Sequence, residues 1–225
     1  MKKCLKCAFL FFCLLSKIYA QDFVKLKYVP TNLEIEVLNV SVSIVATDDD
    51  FAAYYAKLPD GKKLSCVENR GTFRVRSVYR TSGEITIKVP KTKILERMRI
   101  TAALGNIYVQ DLSVVHATIL LTRGDIEVSN CTFKTSNLTQ NTGNLKFSAG
   151  VKSSAICVSN VTAAVSYLGK LDDYHLDYAQ ANSRLVINET LQEKLQGQLG
   201  RENALKRALL SASASVVAVQ FPASP

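Results

Sequence analysis

Apolar and polar residues alternate along most of this chain with a period of two, and the alternation restarts at a fixed interval. Gly105-Asn-Ile-Tyr-Val, Gly124-Asp-Ile-Glu-Val and Gly143-Asn-Leu-Lys-Phe begin alike, with each Gly nineteen residues after the last. Ile107, Ile126 and Leu145 form one apolar column, and Val109, Val128 and Phe147 form a second. Tyr108, Glu127 and Lys146 lie between them, and Gln110, Ser129 and Ser148 follow. Each unit therefore predicts a strand with one buried face. Gly followed by Asn or Asp just before a strand is turn chemistry, because Gly accepts positive φ and Asx side chains bond nearby backbone.

A second apolar run follows in each unit: Thr118-Ile-Leu-Leu-Thr, Asn137-Leu-Thr-Gln and Ala155-Ile-Cys-Val, the last displaced by about one residue. Nineteen residues are too few for a strand–helix–strand crossover, which takes about thirty. Short strands with tight corners, stacked coil on coil, do fit. The fold class expected is all-β, a parallel β-helix or solenoid with coils of about 19–22 residues. An antiparallel sandwich with coincidental spacing is the alternative.

Weaker patterning continues outward. Gly83-Glu-Ile-Thr-Ile-Lys-Val-Pro90 reads as the preceding coil, and Tyr174, Leu176 and Tyr178 as part of a later one. Leu185-Val-Ile-Asn188 and Ser215–Phe221 read as the last strands, with atypical coils expected where an open edge must be capped. Residues 21–82 also alternate, as in Leu33-Glu-Ile-Glu-Val37, Val40-Ser-Val-Ser-Ile44 and Thr72-Phe-Arg-Val-Arg76, and read as strands leading into coils over 83–225. Leucines at near-helical spacing from Leu191 to Leu209, interrupted by Gly197 and Gly200, suggest a short helix or loop over 191–210.

The first twenty residues break this pattern. Lys2, Lys3 and Lys6 precede an apolar run from Cys7 to Leu15, and Ile18-Tyr-Ala20 offers a small residue for cleavage. This reads as a secretory signal peptide cleaved after about Ala20, with an apolar run too short to span a bilayer. It places the mature chain in the periplasm or at the cell surface. No later transmembrane span is expected. The mature chain keeps 24 basic against 19 acidic residues, a net charge of +5. Its three cysteines, Cys66, Cys131 and Cys157, are odd in number, so at least one is unpaired, and small buried hydrophobes are the expected role. Five Asn-x-Ser/Thr triplets occur, at Asn39, Asn130, Asn137, Asn160 and Asn188. Corner and outer-face usage of Asn, Ser and Thr in a solenoid accounts for them without glycosylation.

With this order of parts the chain resembles the bacterial adhesin-domain family of unknown function. The resemblance runs from about residue 33 to Phe221 and rests on Val89-Pro90 and the units at Leu104-Gly-Asn-Ile, Arg123-Gly-Asp-Ile and Thr142-Gly-Asn-Leu. It implies a right-handed parallel β-helix that is exported or membrane-associated. Arg184-Leu-Val-Ile and Val216-Val-Ala-Val219 stand where that family closes with Gly-Asp-Ile strands. Fold alone does not fix a ligand.

The sequence holds no nucleophile elbow, phosphate loop, HExxH or dinucleotide fingerprint. Some β-helices cleave polysaccharides with paired carboxylates on neighbouring coils. Here Glu127 stands beside Tyr108 and Lys146 instead. Asp173, His175 and Asp177 alternate on one strand, about 7 Å apart, and read as a solvated face rather than a metal site. Charge is more suggestive. Nine basic residues between Arg70 and Arg99 face only Glu84 and Glu96, a local charge of +7. Alternation turns Arg74, Arg76 and Lys88 outward as a candidate surface for an anionic glycan, lipid head groups or an acidic envelope protein. No cofactor or metal and no nucleic-acid partner is expected. The functional expectation is an exported, non-enzymatic, adhesin-like binding module. A carbohydrate-active enzyme and a scaffold self-associating through its end strands are the alternatives.

Overall fold

The structure is a computed structural model, and it describes residues 23–59, 62–77 and 82–221. The signal-peptide segment and Arg80 lie outside the described residues. In chain order the strands are β1 (Val24–Lys25), β2 (Asn32–Thr47), β3 (Ala53–Lys57), β4 (Ser65–Asn69), β5 (Thr72–Arg76), β6 (Ser82–Pro90), β7 (Ile94–Leu104), β8 (Ile107–Gln110) and β9 (Ser113–Arg123). Then come β10 (Ile126–Ser159), β11 (Val161–Tyr167), β12 (Tyr174–Ala181), β13 (Arg184–Ile187), β14 (Thr190–Gln192), β15 (Gln196–Gly200), β16 (Lys206–Ser213) and β17 (Val216–Gln220). A 3-10 turn, Leu171–Asp173, lies between β11 and β12. The chain is all-β and solenoid-like.

In the centre, neighbouring tiers are neighbours in sequence. β7 pairs with β9, β8 with β10, and β9 with β10, all parallel and all at an offset of nineteen residues. β10 then pairs with β11 at an offset of eighteen, as Gly143↔Val161, which is the one-residue displacement of the third repeat. The repeat glycines sit at one corner with φ of 117° at Gly105, 133° at Gly124 and 132° at Gly143. Space is as decisive as dihedral: a Cβ on Gly124 would run into the Gly105 carbonyl, and one on Gly143 into the Gly124 carbonyl. The Asx column after them is a hydrogen-bond ladder. Asn144 N–H donates to Asp125 Oδ1 (2.9 Å), Asp125 N–H to Asn106 Oδ1 (3.0 Å), and Asn106 N–H to Ser41 Oγ (3.1 Å).

That last bond leads to an arrangement the sequence does not announce. The tier beside β8 is β2, not β6: Val42 pairs with Ile107 on one side and with Ile85 on the other. The first half of β2 likewise lies between β5 and β7. So β2 belongs inside the stack rather than leading into it, and Gly83–Pro90 is one tier further out than expected. The C-terminal end repeats the device. β16 lies between β10 and β12, and β17 between β11 and β13, all parallel. The last strands in sequence are therefore not the last in space.

Antiparallel strands finish both ends. β3 lies on β6 and β4 on β5 at one end, and β14 lies on β13 and β15 on β12 at the other. The segment 191–210 thus carries β14, β15 and the start of β16 rather than a helix. Gly197 is fixed there by Tyr178, whose ring occupies the space a Cβ would need.

One apolar core runs the length of the stack. Ile85, Val42, Ile107, Ile126, Leu145, Ala163, Val217 and Leu185 form a continuous buried column in tier order. Aromatic rings fill the C-terminal half: Tyr167 lies 6.0 Å from Phe147, 5.5 Å from Tyr174 and 5.4 Å from Phe221. Asn130, Asn160 and Asn188 are corner residues with φ of 52°, 51° and 44°, which accounts for three of the five Asn-x-Ser/Thr triplets. The three cysteines among the described residues are free; Cys131 is buried and Cys66 half-buried, but Cys157 is exposed. Its place between inward Ile156 and Val158 turns it outward, which corrects the expectation of a buried role.

Candidate functional site

The basic residues near position 74 owe their arrangement to the intercalated strand. Along β5, β2 and β7 alternation sends Phe73, Val75, Leu33, Ile35, Met98 and Ile100 into the core. The residues between them share the outer face in register. Arg74, Glu34 and Arg99 form one row, and Arg76, Glu36 and Thr101 the next. Thr72, Asn32 and Arg97 form a third. Neighbouring strands lie about 4.8 Å apart, so side chains along a row touch.

Arg74 Nε donates to Glu34 Oε2 at 2.7 Å, and Arg76 Nε lies 3.3 Å from Glu36 Oε2. These pairs are solvent-exposed and contribute little to stability, but they orient two guanidinium planes. Among the described residues no carboxylate lies within salt-bridge distance of Arg97 or Arg99. Glu34, Ile35, Glu36, Arg74, Arg76, Arg99 and Thr101 line a shallow groove of about 170 Å³. Three guanidiniums against two carboxylates leave it net positive. A planar guanidinium offers paired N–H donors that match carboxylate, sulfate or phosphate oxygens. Further along the stack the face turns neutral: His116 lies opposite Arg97, and its Nδ1 is 2.8 Å from Thr135 Oγ1.

Of the three residues singled out from sequence, Arg74 and Arg76 sit together in this groove. Lys88 does not. It lies on β6 opposite Val45, eleven positions along β2 from Glu34, and its Nζ stands 4.1 Å over the Phe23 ring. Arg99 takes its place in the groove, and Arg97 lies one row away on the same face. Alternation in Arg97-Met-Arg-Ile-Thr101 was signal enough to turn both outward. Nothing in the sequence sets β2 between β5 and β7, so the glutamates opposite were not foreseeable. Elsewhere, Lys91 pairs with Asp48 at 3.0 Å, and Glu127 with Lys146 at 2.8 Å.

Asp173, His175 and Asp177 do not converge. Asp173 is in the 3-10 turn, where its carboxylate accepts the Lys170 N–H at 3.1 Å, and His175 Nε2 lies 3.3 Å from Asp177 Oδ1. Among the described residues no group of three or more His, Cys, Asp or Glu side chains is placed to hold a metal. No described helix is long and apolar enough to cross a membrane.

The family model described as Toastrack DUF4097 matches residues 30–160, more than half of the chain, from the turn before β2 to the end of β10. The chain belongs to that family. The arginine face therefore lies wholly within the Toastrack region, and the interlocked C-terminal strands lie beyond it. An uncharacterized protein of Treponema pallidum (strain Nichols) is 27% identical over 201 residues, covering 87% of this chain and 83% of that protein. Among solved structures, a candidate cell adhesion protein of Clostridium sporogenes is similar with a TM-score of 0.47 at 7% identity, over 90% of this chain and 99% of that one. A candidate adhesin of Bacteroides fragilis is similar with a TM-score of 0.45 at 10% identity, over 89% and 98%.

Proposed function

We propose that this Toastrack chain is an exported, non-enzymatic binding module of the cell envelope, and that the β5–β2–β7 face is its contact surface for an anionic glycan. In this reading the N-terminal segment directs export and is removed, and the tiers wind as a right-handed parallel β-helix that displays the face on a stiff scaffold. The observation that carries the proposal is Arg99. It stands beside two guanidiniums already oriented by Glu34 and Glu36, yet among the described residues no carboxylate lies within salt-bridge distance of it. Open grooves of this kind suit repeating charged polymers better than a small substrate, which needs an enclosing pocket.

The test uses the chain from Gln21 onward, a sulfated polysaccharide such as heparin, and a neutral dextran. Binding to heparin alone is expected, falling steeply with salt because exposed charges are screened beyond about 8 Å at physiological ionic strength. The Arg76→Gln, Arg99→Gln double variant should lose that binding while keeping its melting temperature, and Lys88→Gln should bind as the parent does. Equal binding by the double variant sinks the assignment of the face. New reducing or unsaturated ends in the polysaccharide would overturn the non-enzymatic reading.

A further inference from the structure

The two ends of the stack are finished differently. At the N-terminal end the chain before β2 folds back over the capping strands. β1 pairs with β3 from outside, and Glu68 of β4 accepts the N–H groups of Lys27 and Tyr28 at 2.8 and 3.3 Å. At the C-terminal end β14 and β15 are outermost, and among the described residues β15 pairs with β12 alone. Bonds at its two limits fix which backbone groups are used: Arg201 N–H donates to Tyr174 O (2.9 Å), and Gln180 N–H to Leu195 O (2.7 Å). Odd-numbered residues of the strand therefore face β12, and the N–H and C=O groups of Gln196, Gln198 and Gly200 face away from the stack. The strand reads Gln-Gly-Gln-Leu-Gly, with no charge and no proline. Charge and proline are the usual protection of an open edge. The segments leading into and out of it carry Leu195 and Leu205, exposed by 72% and 88%, the highest values among the exposed large apolar side chains described.

The geometry points to β15 as a dimerisation edge, on which a second copy of this chain adds antiparallel about a twofold axis at Gln198. This goes beyond the glycan-binding reading and does not depend on it. With the axis at Gln198, that residue faces its own counterpart and Gln196 faces Gly200 of the other copy. All three outward residues are then satisfied, each facing pair exchanging two hydrogen bonds. The same axis brings the bend that carries Lys194 of each copy towards the turn that carries Glu202 of the other. Moving the axis by one residue either way leaves an outward residue beyond the end of the partner strand and draws Lys194 away from Glu202. Leu195 and Leu205 flank the joint, where a second copy can cover them. A contact about a twofold axis is isologous, so it closes at two copies instead of propagating as a fibre.

Sedimentation of the chain from Gln21 onward over a wide concentration range tests this. A reversible monomer–dimer equilibrium is expected. Lys194→Glu should weaken it about tenfold or more, since like charges would then approach each other twice, and adding Glu202→Lys should restore it. In a Cys157→Ser background, Gln198→Cys should form an intermolecular disulfide with itself on mild oxidation, because facing hydrogen-bonded residues have Cα atoms about 5.5 Å apart. Gln196→Cys should not. A monomer at every concentration overturns the proposal. So does a dimer indifferent to Lys194→Glu, or one that cross-links as well through position 196.

Discussion

At the residue scale the decisive positions are the smallest ones. Gly124 holds φ at 133°, and its missing Cβ makes room for the carbonyl of Gly105 one tier below. Both constraints act at once, so Gly124→Ala should cost well over the roughly 1 kcal/mol of an ordinary backbone penalty, about 3 kcal/mol or more. Gly150 is the comparison: its φ is not in the left-handed region and the nearest atom a Cβ would meet is 3.8 Å away, in ordinary contact. Urea denaturation of Gly124→Ala and Gly150→Ala checks this, and equal midpoints would refute the tight-corner account. The Asx residues beside these glycines do complementary work. Asn106 and Asp125 each cap the backbone N–H of the next tier, so the register of these neighbouring tiers is fixed by side chains as well as by strands.

At the scale of elements, the columns were the most legible part. Period-two alternation repeated at a fixed interval identified Ile107, Ile126 and Leu145 as stacked and buried, and they are. Ile126→Asp should therefore lower stability by about 4 kcal/mol or more, because an uncompensated charge would sit in mid-column with Ile107 on one side and Leu145 on the other. Denaturant titration measures it, and a wild-type midpoint would contradict the column. What alternation cannot specify is which strand lies beside which when the partners are distant in sequence. Leu33–Val37 and Thr72–Arg76 each announce an inner and an outer face, yet their adjacency depends on a return of forty residues that leaves no local trace. The same blindness explains Lys88, grouped with Arg74 by proximity in sequence and separated from it by the path of β2. Residues 191–210 misled for another reason. Leucine spacing there reflects exposed Leu195 and Leu205 on bends between short strands, not one face of a helix.

For the molecule as a whole, the core is mainly apolar, and its aromatic half also encloses hydroxyls. Tyr167 and Tyr174 are buried there, the first donating to Ser154 Oγ at 3.4 Å and the second to Leu168 O at 2.9 Å. Burial pushes the Tyr174 phenol up to about 12 and that of Tyr167 higher still, from an ordinary 10.0. Both groups resist ionisation in the folded state, so their contribution to stability is fully present below pH 10 and is lost as pH rises through about 12. Denaturation midpoints should begin to fall above pH 9, since burial also pushes the Cys131 thiol up to about 11 from 9.0, and should fall more steeply above pH 10 as the two tyrosines add their share. A Tyr167→Phe, Tyr174→Phe double variant whose midpoint falls as steeply above pH 10 as the parent's would show that these two rings do not carry the dependence.

The interlocked ends carry a mechanical consequence. A stack whose terminal strands lay at its outer faces would yield to tension by peeling, one tier at a time, each tier loaded across only a few hydrogen bonds. Here a pull on the N-terminal side reaches β2, held between β5–β6 and β7–β8, and a pull on the C-terminal side reaches β17, held between β11 and β13. Each loaded strand is clamped on both flanks by parallel neighbours, so the force must shear two ladders together. Stretched between handles at its two ends, the chain should give way in one dominant rupture at high force rather than in a staircase of small ones. Single-molecule pulling would decide between them. A stepwise record would mean that the terminal strands detach without disturbing the tiers that enclose them.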